Sequence, residues 1–312
     1  MQVGQAVNGT LRKAILASSG SPRVRRFADR HGLRLGASRF VAGEDLDACA
    51  AVLRRLNERG LYANTTLLGE DVLDAAEARA VADEYLVIVQ RLHDEELRAN
   101  VALKLTHLGL DVDEELGYDN VARVVQRAAE LGTFIRIDME YSALVDPTLR
   151  IYRRLREAGL DNVGTVLQSY LYRTPEDLES LLPLAPNLRI VKGAYLEPES
   201  VAYPKKADVD AAYLRLVERS LQGEGYTAIA THDERMIDHS LAFAEREGIG
   251  RDRFELQMLY GVRPQLQLDL AARGYKVLVA TPYGPAWFPF FMRRLAERPA
   301  NLLFVARNLV KR

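Results

Sequence analysis

Three charged side chains stand inside stretches that are otherwise apolar: Lys104 in VALKLTH, Asp138 in FIRIDME and Lys192 in LRIVKGAY. An unpaired buried charge is costly, so each must find a partner or face an opening. Lys104 and Asp138 could satisfy each other as an ion pair. A lysine on a strand otherwise has two chemical uses. It can anchor an anionic group of a substrate, or it can attack a carbonyl as a Schiff-base nucleophile once its pKa is depressed. Arg293-Arg294 in FFMRRLAERP adds a cationic pair of the kind that grips a carboxylate or phosphate through planar, bidentate contacts. Taken alone, that pair reads more readily as a solvated helix face. His232 and His239 are seven residues apart and no HxH or HExxH occurs, so no catalytic metal is expected. Cys49 in DLDACAAVLRRL reads as a packing residue on a helix face rather than a nucleophile.

These residues belong to a repeating pattern. Eight short runs are nearly continuous in apolar or β-branched character. They begin at Tyr62 (YANTTLL), Val101, Phe134, Gly164 (GTVLQSYL), Leu188, Tyr226 (YTAIATHD), Phe254 (FELQMLYG) and Tyr275 (YKVLVATP). Strands buried on both faces read this way, which favours a parallel sheet. Between them lie charged segments with one apolar stripe, such as Leu73 to Leu97, NVARVVQRAAELG, DPTLRIYRRLREAG and DAAYLRLVERSLQGEG. Gly132, Gly159, Gly223 or Gly225, and Gly248 mark helix ends, while Asp146-Pro147 and Thr174-Pro175 mark helix starts.

Strand followed by helix, eight times over, predicts a (βα)8 barrel of the TIM type. The competing doubly wound sheet usually carries a glycine-rich phosphate loop, and neither GxGxxG nor GxxxxGK[ST] is present. Residues 1–40 precede the repeat and are expected to form an N-terminal helical extension, with the barrel spanning 41–312. A barrel of this kind keeps its site at the C-terminal ends of its strands. There the sequence sets Glu70, Lys104, His107, Asp138, Met139, Glu140, Gln168, Arg189, Lys192, Tyr195, Thr231, His232, Leu259 and Tyr283.

The whole chain narrows the partners. It has 312 residues, 48% apolar and 27% charged, with a formal net charge of -1. A nearly balanced chain has no general attraction for nucleic acid. The single cysteine forbids an intrachain disulfide and fits a reducing cytoplasm. No signal peptide and no run of about 20 apolar residues is evident, so any membrane contact is expected to be peripheral.

RFVAGE, FIRIDME, LRIVKGAY, IATHD and FFMRRLAERPANLLFVARNL together give the sequence a specific family likeness. From about Arg39 to the C-terminus it closely resembles the monofunctional bacterial proline dehydrogenases, and the corresponding domain of the bifunctional proline utilisation enzymes. The resemblance implies a distorted (βα)8 barrel that holds FAD noncovalently without a Rossmann motif. It implies oxidation of L-proline to Δ1-pyrroline-5-carboxylate, with electrons passed to a membrane quinone at the inner face of the membrane. It implies an active-site pair in Asp138 and Arg189. Lys104, Arg293 and Arg294 match contacts to the substrate carboxylate, and Tyr195 and Leu259 match packing around the proline ring. Met139, Gln168, Arg189, Val191, Lys192, Gly193, Ala194, Thr231 and His232 match flavin contacts. Glu70 matches an acid that pairs with the first of the two arginines and closes the site. One position departs: where relatives carry tyrosine two residues before the Pro-Tyr-Gly turn, this chain has Ala280. A pocket widened there would admit hydroxyproline or a larger cyclic amino acid. Two rival readings remain open on the residues alone. One is a Schiff-base lyase using Lys104 or Lys192; the other is a barrel retained for binding or regulation.

Overall fold

The computed structural model describes residues 37–288, so most of the expected extension over 1–40, and both Arg293 and Arg294, lie outside the described residues. Eight parallel strands close on themselves in sequence order. They are β1 (Tyr62–Leu67), β2 (Ala99–Leu103), β3 (Ile135–Ile137), β4 (Val163–Gln168), β5 (Asn187–Val191), β6 (Tyr226–Ala230), β7 (Phe254–Leu259) and β8 (Val277–Tyr283). Helix α1 (Leu46–Glu58) leads into β1. The connecting helices are α2 (Ala75–Asp94), α3 (Glu114–Glu130), α4 (Val145–Glu157), α5 (Thr174–Leu181), α6 (Lys206–Gln222), α7 (Glu234–Arg246) and α8 (Pro264–Ala272). The barrel expected from the repeat is therefore the observed fold.

The strands are buried on both faces, as their apolar runs require. Every residue of β4 is buried, Gly164 and Thr165 included. The outward layer packs Ile135, Ile137, Leu188 and Ile190 against helix residues such as Val124, Tyr152, Tyr213 and Leu216. Burial of this kind stabilises by roughly 25 cal/mol per Å² of apolar surface, which is why the repeat closes around one continuous core.

Local signals set the helix limits. The Asp45, Asp74, Asp113 and Asp233 carboxylates accept backbone N–H bonds at the starts of α1, α2, α3 and α7. Gly132, Gly159 and Gly248 follow helix ends with positive φ, the left-handed turn a side chain resists. Two expected starts differ in detail. Asp146 lies inside the first turn of α4 and pairs with Arg173 instead of capping. Thr174 opens α5, but its hydroxyl donates to the Gln168 carbonyl. Cys49 is fully buried, and burial pushes its thiol up to about 12, so it packs and does not react.

Strand register decides which side chains share the barrel interior. Asn64 is level with Ala280, Leu259 with Ala280, Val166 with Arg189, and Ala228 with both Arg189 and Glu255. Two residues on, the period of a strand brings the next inward layer. Beyond β8, the Ala42 N–H donates to the Pro282 carbonyl and the Gly284 N–H to the Gly43 carbonyl. The Trp287 indole N–H donates to Glu44. The segment entering α1 is thus tied to the chain leaving β8.

Candidate active site

A single arginine organises the C-terminal end of the barrel. Arg189 on β5 is buried and reaches β1, β7 and the residue just past β3. Its Nε donates to Gln257 Oε1 (2.6 Å), one terminal nitrogen to Asp138 Oδ1 (2.6 Å) and the other to Asn64 Oδ1 (2.8 Å). Every partner is an acceptor, matching a group that can only donate. Asp138 stands just past β3, with its side chain 23% exposed, so the ion pair opens toward the mouth.

Beside this pair, Lys104 Nζ meets Glu70 Oε2 at 2.5 Å. The pairing of Lys104 with Asp138 weighed from sequence does not form; each takes another partner. Glu70, matched to the first of the two C-terminal arginines, is held by Lys104 among the described residues. Lys192 is bound to Asp210 Oδ1 at 2.6 Å and lies 5.9 Å from the centre of the Tyr213 ring. Both strand-end lysines are therefore salt-bridged, an arrangement that opposes the Schiff-base reading.

Glu140 is buried and accepts from the Thr106 hydroxyl (2.7 Å) and N–H (3.2 Å). Burial pushes its carboxyl up to about 7, against the lowering effects of Lys104 and Thr106. His107, next in sequence, is pushed down to about 4, by burial first and Lys104 second. The ring of His107 fits only because residue 69 is glycine; a Cβ there would stand 2.1 Å from Nε2.

Gln168 spans β4 and the β3 loop, donating to the Met139 and Glu140 carbonyls (3.0 and 2.9 Å). Among the described residues its buried Oε1 has no partner, an acceptor awaiting a donor. Past β5, Gly193 has φ +111, and a Cβ there would stand 2.2 Å from the Tyr170 ring. Only glycine lets this loop pass. Tyr195 stacks at a tilt on Tyr141, with ring centres 4.3 Å apart. Just past β6, the Thr231 hydroxyl accepts from the Asp233 N–H (3.2 Å). His232 accepts at Nε2 from the Leu259 N–H (2.8 Å), which fixes its tautomer with the proton on Nδ1.

The expected residues thus share one end of the barrel. Lys104, Asp138, Val191, Gly193, His232, Leu259 and Ala280 are all part-exposed around its mouth, with Met139, Gln168, Arg189 and Thr231 buried beneath or beside it. Ala194 is exposed on the loop after β5. Sequence reading missed Asn64, Gln257, Glu255 and Arg136. A signal was available: each occupies an alternate position of a strand otherwise apolar, the period that faces the barrel axis. Among the described residues, no group of three or more His, Cys, Asp or Glu side chains is gathered as for a metal.

This arrangement suits a planar, polar cofactor over the arginine: an acceptor with no partner among the described residues, a guanidinium held by three side chains, and a glycine loop with close backbone approach. Comparison with known proteins identifies the family. The proline dehydrogenase family model matches residues 49–307. The chain is 45% identical over 304 residues to proline dehydrogenase of Deinococcus radiodurans, covering 96% of this chain and 98% of that one. It is 42% identical over 301 residues to proline dehydrogenase 2 of Bacillus subtilis, covering 96% and 99%. Among solved structures, proline utilization A of Bdellovibrio bacteriovorus inactivated by N-propargylglycine superimposes with a TM-score of 0.78 at 26% identity. That match covers 84% of this chain and 32% of the larger protein. With a family model over most of its length and relatives matched nearly end to end, the chain belongs to the proline dehydrogenase family.

Proposed function

We propose that this protein oxidises L-proline to Δ1-pyrroline-5-carboxylate with a noncovalently held FAD, and passes the electrons to a quinone. The observation that carries the reading is the Asp138–Arg189–Asn64–Gln257 hub, together with Gln168 Oε1, which has no partner among the described residues. In this reading Met139, Gln168, Arg189, Val191, Lys192, Gly193, Ala194, Thr231 and His232 hold the flavin. When bound, the flavin supplies the hydride acceptor that no side chain can provide. Arg189 contributes fixed positive charge beside it, already oriented and therefore without reorganisation cost during reaction. Asp138 keeps that guanidinium aligned.

Lys104, with Arg293 and Arg294, takes the proline carboxylate. Lys104 is occupied by Glu70 in the structure, so substrate binding exchanges one carboxylate for another and frees Glu70 to pair elsewhere, as a gate would. Anchoring the carboxylate fixes the ring and converts binding into orientation. Tyr195, Leu259 and Ala280 line the ring, and the small Ala280 leaves room for substituted or larger rings. A quinone acceptor places the protein at a membrane surface. No described helix is long and apolar enough to cross one, and in this reading the contact is peripheral.

The test is optical. Protein incubated with FAD and freed of excess should be yellow, should bleach when proline is added without oxygen, and should recover its colour on addition of a soluble quinone. Protein that stays colourless, or a colour that proline leaves unchanged, would refute the reading.

A further inference from the structure

We propose that Glu255 is a positioning residue for Arg189, acting through the amide of Gln257. The two residues share the inward face of β7, two positions apart. Glu255 is 2% exposed in the barrel interior. Its Oε2 receives the Lys276 ammonium (2.9 Å) and the Tyr226 hydroxyl (3.2 Å). Its Oε1 receives the Gln257 amide N–H at 2.5 Å. Gln257 Oε1 in turn accepts from Arg189 Nε at 2.6 Å.

A glutamine amide can be turned end for end, because its two ends are nearly equal in size and opposite in hydrogen-bonding sense. Here both neighbours remove that freedom. Carboxylate is an acceptor only, so the NH2 of Gln257 must face Glu255. Guanidinium is a donor only, so the carbonyl of Gln257 must face Arg189. Lys276, lying 5.2 and 5.4 Å from the Tyr62 and Tyr226 ring centres, holds the far oxygen of Glu255. The order runs from the lower opening of the barrel to the guanidinium at its mouth: ammonium, carboxylate, amide, guanidinium.

Glu255→Gln tests this with almost no change of volume. Lys276 and Tyr226 both donate, so they draw the new carbonyl toward themselves and turn the new NH2 toward Gln257. Gln257 must then flip and present N–H to N–H at Arg189. Glu255→Gln combined with Lys276→Met removes the ammonium, lets the new amide turn its carbonyl back to Gln257, and leaves the Tyr226 hydroxyl free to accept. The effect of the pair is therefore not the sum of its parts.

The proposal rests on the reading that Arg189 lies beside a bound flavin. The primary readout is the flavin midpoint potential of the loaded protein, measured without proline. It reports on the arginine even if another donor proves to be the substrate. Glu255→Gln should shift the potential negative, and should slow flavin reduction by proline about tenfold, the usual scale for removing an outer hydrogen-bond partner. Proline affinity should stay unchanged. The double variant should restore the parental potential and most of the rate. A parental potential and rate in Glu255→Gln would overturn the proposal, and so would equal shifts in the single and double variants. If Glu255→Gln does not accumulate as folded protein, Gln257→Met takes its place: a negative shift supports the relay and an unchanged potential overturns it. Wild-type protein that proline cannot bleach counts against the functional reading and not against the relay.

Discussion

Two buried arginines on neighbouring inward layers of one barrel have opposite kinds of surroundings. Arg136 on β3 is 2% exposed and donates to the Thr165 and Asn187 carbonyls (3.0 and 2.7 Å) and to Asn187 Oδ1 (2.5 Å). Its guanidinium lies 4.9 Å from the centre of the Phe134 ring. Every polar partner is neutral, and burial, with the nearby Arg189 charge, pushes Arg136 down to about 9. Arg189, one layer nearer the mouth, is held by three side chains, one of them the carboxylate of Asp138. Arg136 is enclosed by the fold it stabilises. Arg189 is oriented by its partners, and among the described residues two further buried polar atoms, Gln168 Oε1 and His107 Nδ1, have no hydrogen-bond partner. The same residue type is held by backbone and amide acceptors in one layer and by an ion pair facing the mouth in the next, and only the second is proposed to act in the reaction.

Exchanging each arginine for an apolar side chain of similar length should separate the two roles. Arg189→Met should lower the rate of flavin reduction by roughly 10²–10³-fold, the scale for losing one preorganised electrostatic donor, and should also cost stability, because Asp138, Asn64 and Gln257 lose their donor. Stopped-flow reduction by proline checks the rate. Arg136→Met should act on stability alone. It strands three acceptors at the base of the barrel and should cost about 2–3 kcal/mol of stability, with the folded fraction keeping its proline kinetics. Denaturant unfolding measures that cost. Equal effects of both variants on rate and stability would erase the contrast.

A smaller effect concerns pH. Glu140 has a folded pKa raised to about 7, so the folded state prefers the protonated form. The stabilisation this gives is present below the ordinary carboxyl range and is lost as pH rises through about 7. Glu140→Gln removes that loss. Relative to the parent, the variant should become more stable as pH climbs from 5 to 8, by about 2 kcal/mol at the upper end. Melting temperatures across that range test the sign. His107, lowered to about 4, works in the opposite direction: the stability it gives is lost as pH falls from its unfolded value toward about 4. The parent should therefore show a flatter profile than the Glu140 variant.

The barrel and its mouth were legible in the sequence; the contrast between the two arginines was not. The eight apolar runs gave the barrel because strands buried on both faces have little alternative. The strand-end rule then gathered Lys104, Asp138, Gln168, Arg189 and His232 at one mouth. What stayed hidden was partnership. Nothing in the spacing says that Lys104 takes Glu70 and leaves Asp138 to Arg189, since that depends on how eight strands are staggered. Asn64 and Gln257 escaped notice for a related reason: an amide in a short strand looks like an interruption until barrel closure brings it within reach of Arg189. The helices do start beside Asp146 and at Thr174 as expected, but neither side chain caps: tertiary partners, Arg173 and the Gln168 carbonyl, win over local capping.

The central claim is that the open capacity around Arg189 belongs to a flavin. A crystal structure of the FAD-loaded protein tests it most directly. The account predicts the isoalloxazine at the C-terminal mouth, with the Arg189 guanidinium beside it and a ring donor within hydrogen-bond distance of Gln168 Oε1. A flavin seated elsewhere, with Gln168 Oε1 still unmet and Arg189 out of reach, would contradict it.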